Sequence, residues 1–150
     1  MGKDLQGRAR TAMSSLGVTY PELSGYYPQP KGLLFPAFLS VQNLSGIYSP
    51  FTIEANYNSA MVSYNLPFTI CHELSHLRGF MQEEEANFIG FLACVSTDDT
   101  AFNYSGYLLG WIYATNELYE TDYDTFEEVY SRLSDNVKAD LSANLSLIHI

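Results

Sequence analysis

Apolar residues recur at two different periods along this chain. From Phe51 to Tyr57 the β-formers Phe51, Ile53, Ala55 and Tyr57 alternate with Thr52, Glu54 and Asn56, which is the two-residue period of a strand. Beyond Asn65 the period becomes helical. Asn65 suits an N-cap, Pro67 a first turn and Gly79 a stop, so a helix is expected between them. Glu83–Val95 reads as a second helix, polar for one turn and then apolar nearly all round, hence buried. A polar break at Ser96–Thr100, with Asp98 and Asp99 as caps, precedes a third helix over roughly Ala101–Tyr119. Its apolar side carries Tyr107, Leu108, Trp111, Ile112, Thr115, Leu118 and Tyr119. Asp124-Thr-Phe-Glu127 is a capping-box-like start to a fourth helix with Phe126, Val129, Tyr130, Leu133 and Val137 at helical spacing. Upstream, Leu5–Leu16 reads as a helical lead-in. Residues 18–32, with Pro21, Gly25, Pro28, Pro30 and Gly32, form an irregular arm. Leu33–Val41, interrupted by Pro36, reads as an edge strand or extended segment, and Gly46–Pro50 as a turn or bulge. The expected class is α+β, helix-dominated, with a small sheet ahead of the Asn65–Gly79 helix.

Size and charge narrow the function classes. The 150 residues suit one domain with a sizeable core, expected over 1–144 with 1–17 as lead-in. The formal net charge is -10, and between Lys31 and Arg132 the only Lys or Arg is Arg78. No basic patch exists to neutralise phosphates, which excludes a nucleic-acid partner and disfavours an anionic membrane surface. No segment is long and apolar enough to span a bilayer, and the N-terminus lacks a signal-peptide core. The chain therefore reads as soluble as it stands. Cys71 and Cys94 match no Cys-x-x-Cys site; they read as buried thiols, with a helix-to-helix disulfide as the alternative. Leu145–Ile150 reads as a non-native tail on a truncated gene, so His149 is discounted.

The chemistry gathers in the expected first helix after the strand. His72-Glu73-Leu74-Ser75-His76 is an H-E-x-x-H. Residues four apart on a helix lie one turn above each other, so His72 and His76 can close on one zinc ion. Glu73, about 100° round the helix, can reach a water on that metal as general base without being a ligand.

A catalytic zinc site needs a third protein ligand and an open position. No other credible histidine exists, so a carboxylate is expected. Glu83-Glu84-Glu85-Ala86-Asn87 follows closely, at the start of a helix that Gly79 allows to fold back. Glu83 and Asn87 share a face: Glu83 can ligate while Asn87 holds a ligand histidine through a hydrogen bond. Glu54, Glu84 and Glu85 are the alternatives to Glu83, and an acidic first turn favoured by the helix dipole is the metal-free reading.

Paired in this order, H-E-x-x-H and E-x-x-A-[ND] are similar to the gluzincin metallopeptidases, including the CAAX prenyl-protease type. Pro50-Phe-Thr-Ile-Glu-Ala-Asn56, Cys71-His-Glu-Leu-Ser-His-Leu-Arg-Gly-Phe80 and Glu83-Glu-Glu-Ala-Asn-Phe88 together look like a bacterial family of unknown function, described as membrane-attached zinc metallopeptidases. The likeness spans roughly residues 18–140. It implies a zincin-like fold, His72, His76 and Glu83 as zinc ligands and Glu73 as base. It also implies membrane helices ahead of the domain, which a fragment such as this would lack.

The function expected on these grounds is hydrolysis of peptide bonds in a peptide or protein substrate by a zinc-activated water. The oxyanion then needs a donor beside the metal, and Tyr104 and Tyr107 are the candidates. The strand carrying Thr52, Ile53 and Glu54 is the candidate for binding extended substrate by backbone pairing. A catalytically inactive zinc- or peptide-binding module of the same fold is the alternative.

Overall fold

The computed structural model describes residues 4–32, 46–49, 54–57 and 61–148. Helix α1, Leu5–Thr19, opens on Asp4, whose carboxylate accepts from Gly7 N. Its buried face is Ala9, Ala12, Met13 and Leu16, the i, i+3, i+4, i+7 stripe of an amphipathic helix. A 3-10 turn, Pro21–Leu23, starts the arm, and Tyr27 anchors it: the ring is buried and its hydroxyl donates to Leu23 O at 2.6 Å.

The sheet has three short strands, β1 (Lys31–Gly32), β2 (Gly46–Ser49) and β3 (Glu54–Tyr57). Their order is β1-β3-β2, with β1 parallel and β2 antiparallel to β3. Gly46–Ser49 is thus a paired strand, in register Gly46↔Tyr57 to Ser49↔Glu54, and not the turn that Gly46 and Pro50 suggest from sequence. The expected strand Phe51–Tyr57 is observed from Glu54 onward. Residues 51–53 and the expected segment Leu33–Val41 lie outside the described residues.

The described residues hold five further helices: α2 (Leu66–His76), α3 (Glu83–Val95), α4 (Thr100–Thr121), α5 (Tyr123–Ser131) and α6 (Asp135–Ile148). The class is α+β and helix-dominated, as expected. Helix α2 is central, touching α1, β2, β3, α3 and α4. It buries nine of its eleven residues. Asn65 makes no side-chain cap bond; instead Phe68 N donates to Ser105 Oγ of α4 at 3.1 Å, a first-turn donor satisfied from another helix. Gly79, at φ 91°, then reverses the chain, a conformation that costs glycine nothing.

Helix α3 has the expected bounds but is not buried all round. Ala86, Ile89, Gly90, Ala93 and Cys94 face the core, while Phe88 is 61% exposed. In α4 the buried residues are Phe102, Ser105, Gly106, Leu108 and Thr115, so Tyr107 and Tyr119 of the expected apolar side are exposed. The expected fourth helix is two helices. Asp122, not Asp124, caps α5 by accepting from Thr125 N. Arg132 N then closes it onto Val129 O, and Ser134 Oγ accepts from Val137 N to start α6. Helix α6 runs through Ile148. Cys71 and Cys94 are free and fully buried in the core. Among the described residues no helix is long and apolar enough to cross a membrane.

Candidate metal centre

Helices α2 and α3 are joined through the turn that Gly79 makes, and they pack closely beside His72. A Cβ on Gly90 would lie 3.3 Å from His72 N and 3.4 Å from its Cα, so the absent side chain lets the backbones pack. That approach puts the first turn of α3 over the last turn of α2. His72, His76 and Glu83 converge there, each offering a ligand atom, all within 4.8 Å of one another. His72 Nε2 lies 3.2 Å from His76 Nε2 and 3.3 Å from Glu83 Oε2; His76 Nε2 lies 3.7 Å from Glu83 Oε1. Both imidazoles are almost buried, whereas the Glu83 side chain is 71% exposed. The group is thus a surface-facing cluster with a buried floor, and it could hold a metal ion.

The ring orientations suit that. His76 Nδ1 lies 2.7 Å from Phe80 O. A carbonyl can only accept, so Nδ1 carries the proton and Nε2 presents a lone pair to the cluster. Burial and the neighbouring His76 lower the His72 pKa, with the Glu83 charge and hydrogen bonding of the protonated ring to Asn87 and Glu83 pulling the other way. A lowered pKa keeps the imidazole neutral, the form that ligates. His72 Nδ1 is buried and has no partner among the described residues. The Phe68 ring lies near-parallel to His72 at 6.5 Å.

Glu73 sits on the same turn. It is 5% exposed, and its Oε2 is buried with no partner among the described residues. Burial first and the charge of Glu83 second push its pKa up to about 8. At neutral pH a carboxyl so shifted is mostly protonated, so it carries a proton beside the cluster.

Asn87 stands where the sequence puts it, beside His72, and it has a second contact. Tyr113 Oη donates to Asn87 Oδ1 at 3.3 Å. The Tyr113 ring packs 6.2 Å from Phe68, and burial together with the Glu83 charge raises its pKa. Tyr113 is the tyrosine at the cluster. Tyr104 is not: nine residues earlier on α4 it faces the opposite side, and its hydroxyl donates to the Asp140 carboxylate against the Tyr64 ring. Tyr107 is 61% exposed and packs its edge on Phe91, one turn further along α3. The helical period alone separates Tyr113 from both, but which face meets α3 follows from packing.

Of the expected substrate strand, Thr52 and Ile53 lie outside the described residues. Glu54 opens β3, which is the central strand, bonded to β1 on one side and β2 on the other. Strand β1 pairs with Asn56 and Tyr57 alone, while β2 pairs along Glu54–Tyr57, so among the described residues the outer strands are β1 and β2 and only Asn56 and Tyr57 are flanked on both sides.

A family model described as a protein of unknown function (DUF3810) matches residues 3–149. No curated protein and no solved structure matches the chain. The chain belongs to that family, whose description names no activity.

Proposed function

We propose that this domain is a zinc-dependent metallopeptidase of zincin-like architecture. The observation that carries the reading is the meeting of two imidazole Nε2 atoms and a carboxylate beside a second, buried carboxylate that has no partner. Zinc–nitrogen bonds of about 2.0–2.1 Å in tetrahedral geometry put ligand atoms about 3.3 Å apart, and the three contacts here are 3.2, 3.3 and 3.7 Å. With His72 protonated on Nδ1 the two Nε2 atoms would share a cation between them, whereas a proton on His72 Nε2 would make the same contact a hydrogen bond. The set of two histidines and one glutamate leaves a fourth position for water, as catalytic zinc sites do.

Zinc at this position would supply Lewis acidity, activating water at neutral pH and polarising the scissile carbonyl. The remaining work falls to the chain. The Phe80 carbonyl fixes the His76 tautomer, and Asn87, held by Tyr113, orients His72. In its ionised form, Glu73 Oε2 accepts the proton of the attacking water and returns it to the leaving amine. Tyr113 Oη gives its single proton to Asn87 Oδ1, and it would serve a carbonyl oxygen gaining charge only on releasing Asn87. Among the described residues β2 is an outer strand, and its outer edge would offer backbone groups to extended substrate.

The test is zinc content and peptide hydrolysis of the purified chain, with and without chelator, beside Glu73→Gln. The substitution should lower the rate by about 10²–10⁴-fold and leave zinc stoichiometric. Zinc without hydrolysis in the unsubstituted chain would instead favour an inactive zinc- or peptide-binding module, and no stoichiometric zinc would remove the reading.

A further inference from the structure

Helix α1 and the arm after it line an open cleft of about 690 Å³, and none of its lining residues belongs to the metal cluster. That volume is in the range of small-molecule sites. Arg10, Ser14 and Ser15 line it from α1, and Gly25, Tyr26 and Tyr27 from the arm. The helical period sets Ser14 one turn on from Arg10, while Ala9, Met13 and Leu16 of the same helix are buried in the core.

The donors of this cleft are unused. The chain has seven Lys and Arg against seventeen Asp and Glu, so carboxylate partners are plentiful. Arg8 and Arg132 have theirs in Asp99 and Glu128. Arg10 is in no ion pair among the described residues, and its Nε is buried without a hydrogen-bond partner there. Asp4, also at the cleft, has its Oδ1 accepting from Gly7 N instead. The Arg10 guanidinium lies 6.0 Å from the centre of the Tyr26 ring, and Tyr26 is 77% exposed. A second guanidinium stands at the wall without a carboxylate: that of Arg78, 6.0 Å from the Tyr27 ring centre and filling the place where a Gly25 side chain would be. The serines are unused in the same way. Serine and threonine inside a helix can bond back to a carbonyl of the preceding turn, as Thr11, Thr115, Thr121, Ser131 and Ser142 do here. Ser14 and Ser15 make no side-chain hydrogen bond among the described residues.

We propose that this cleft binds a small phosphate monoester carrying a flat ring, of the nucleoside monophosphate class. The Arg10 guanidinium is a fork that matches two phosphate oxygens, and each serine hydroxyl has a proton to give. A carboxylate, with two oxygens, would leave part of that set idle, whereas a phosphate monoester has three terminal oxygens. A bare phosphate is far smaller than the cleft, and the exposed Tyr26 ring offers a surface on which a flat group can stack. One guanidinium with two hydroxyls takes a single phosphate group and not the repeating phosphates of a nucleic acid. The site is independent of hydrolysis at the metal cluster.

The experiment titrates adenosine monophosphate, adenosine and inorganic phosphate separately into the full isotope-labelled chain at low salt, and follows its amide signals by NMR. Adenosine monophosphate should move the signals of Arg10, Ser14, Ser15 and Tyr26 together. It should bind about tenfold tighter than inorganic phosphate, from stacking, and about tenfold or more tighter than adenosine, from the charged contact. Arg10→Gln should weaken it by about 10–100-fold, and Ser14→Ala with Ser15→Ala by about tenfold. Tyr26→Ala should bring it to the level of inorganic phosphate. Signals outside the cleft report whether each variant is folded, and the unsubstituted chain decides the location whatever the variants do. No binding at millimolar ligand, shifts confined to His72, His76 and Glu83, adenosine bound as tightly as its monophosphate, or an affinity unchanged in folded Arg10→Gln would each overturn the cleft. Inorganic phosphate bound as tightly as adenosine monophosphate would overturn the ring.

Discussion

Helices α2 and α5 are close in length and opposite in how they are held. Helix α2 buries nine of eleven residues, among them Glu73, Ser75 and His76; α5, nine residues long, buries none. Local signals run the other way. Helix α5 has Asp122 accepting from both Thr125 N and Thr125 Oγ1, and an Arg132–Glu128 pair one turn apart. Helix α2 has no side-chain cap from its own flank and borrows Ser105 from α4. A helix written by local chemistry can sit on the surface, because it needs little from its neighbours. A helix written by tertiary packing can hold polar groups that no local rule would place. Each buried group left unpartnered costs about 1–3 kcal/mol, and Glu73 Oε2 and His72 Nδ1 are two such groups. A close-packed surround, with Gly90 letting α3 onto His72, keeps them in place, and the candidate chemistry lies in that half.

The contrast can be sharpened from the site outward. Asn87→Ala removes the amide beside His72 and should weaken zinc binding by about 10–100-fold, measured by competition with a chelator; unchanged affinity would mean that Asn87 plays no part in holding the ligand. Gly106→Ala forces a Cβ to within 2.7 Å of Cys94 Cβ, so α3 and α4 must separate. Overpacking should cost about 1–3 kcal/mol in denaturant unfolding, and zinc affinity should fall with it. In the other half, Asp122→Ala should cost about 1 kcal/mol, as a lost N-cap does, and leave zinc affinity at its original value. Coupling between the two would erase the distinction drawn here.

The smallest effect is seen only in alkali. Burial first, then the hydrogen bond and charge of Asp140, raise Tyr104 from 10.0 to about 12. The unfolded chain gives up that proton near pH 10 while the folded chain keeps it. This contribution to stability is therefore complete below pH 10 and lost as pH rises through about 12. Unfolding free energies across that window should fall less steeply in Tyr104→Phe, and an identical slope would show that the Tyr104–Asp140 contact does not govern the docking of α6.

Much of the site is written locally. The four-residue spacing of His72 and His76, the glycine that permits reversal and the acidic turn at Glu83 are each consequences of helix period and turn chemistry. They put two imidazoles and a carboxylate within reach before any packing is known. The bounds of α3 follow from the same rules. Two features do not. The strand at Gly46–Ser49 is hidden because Gly46 and Pro50 bracket it with turn signals, and only pairing with Glu54–Tyr57 makes it a strand. The tyrosine at the cluster is hidden because α4 carries tyrosines on several faces. Small residues at 106 and 110 decide which face closes on α3, and so bring Tyr113 to Asn87 and send Tyr104 to Asp140. Spacing along one helix is a property of the chain. The face that meets another helix is set by where two surfaces can approach, and that exists only once both are folded.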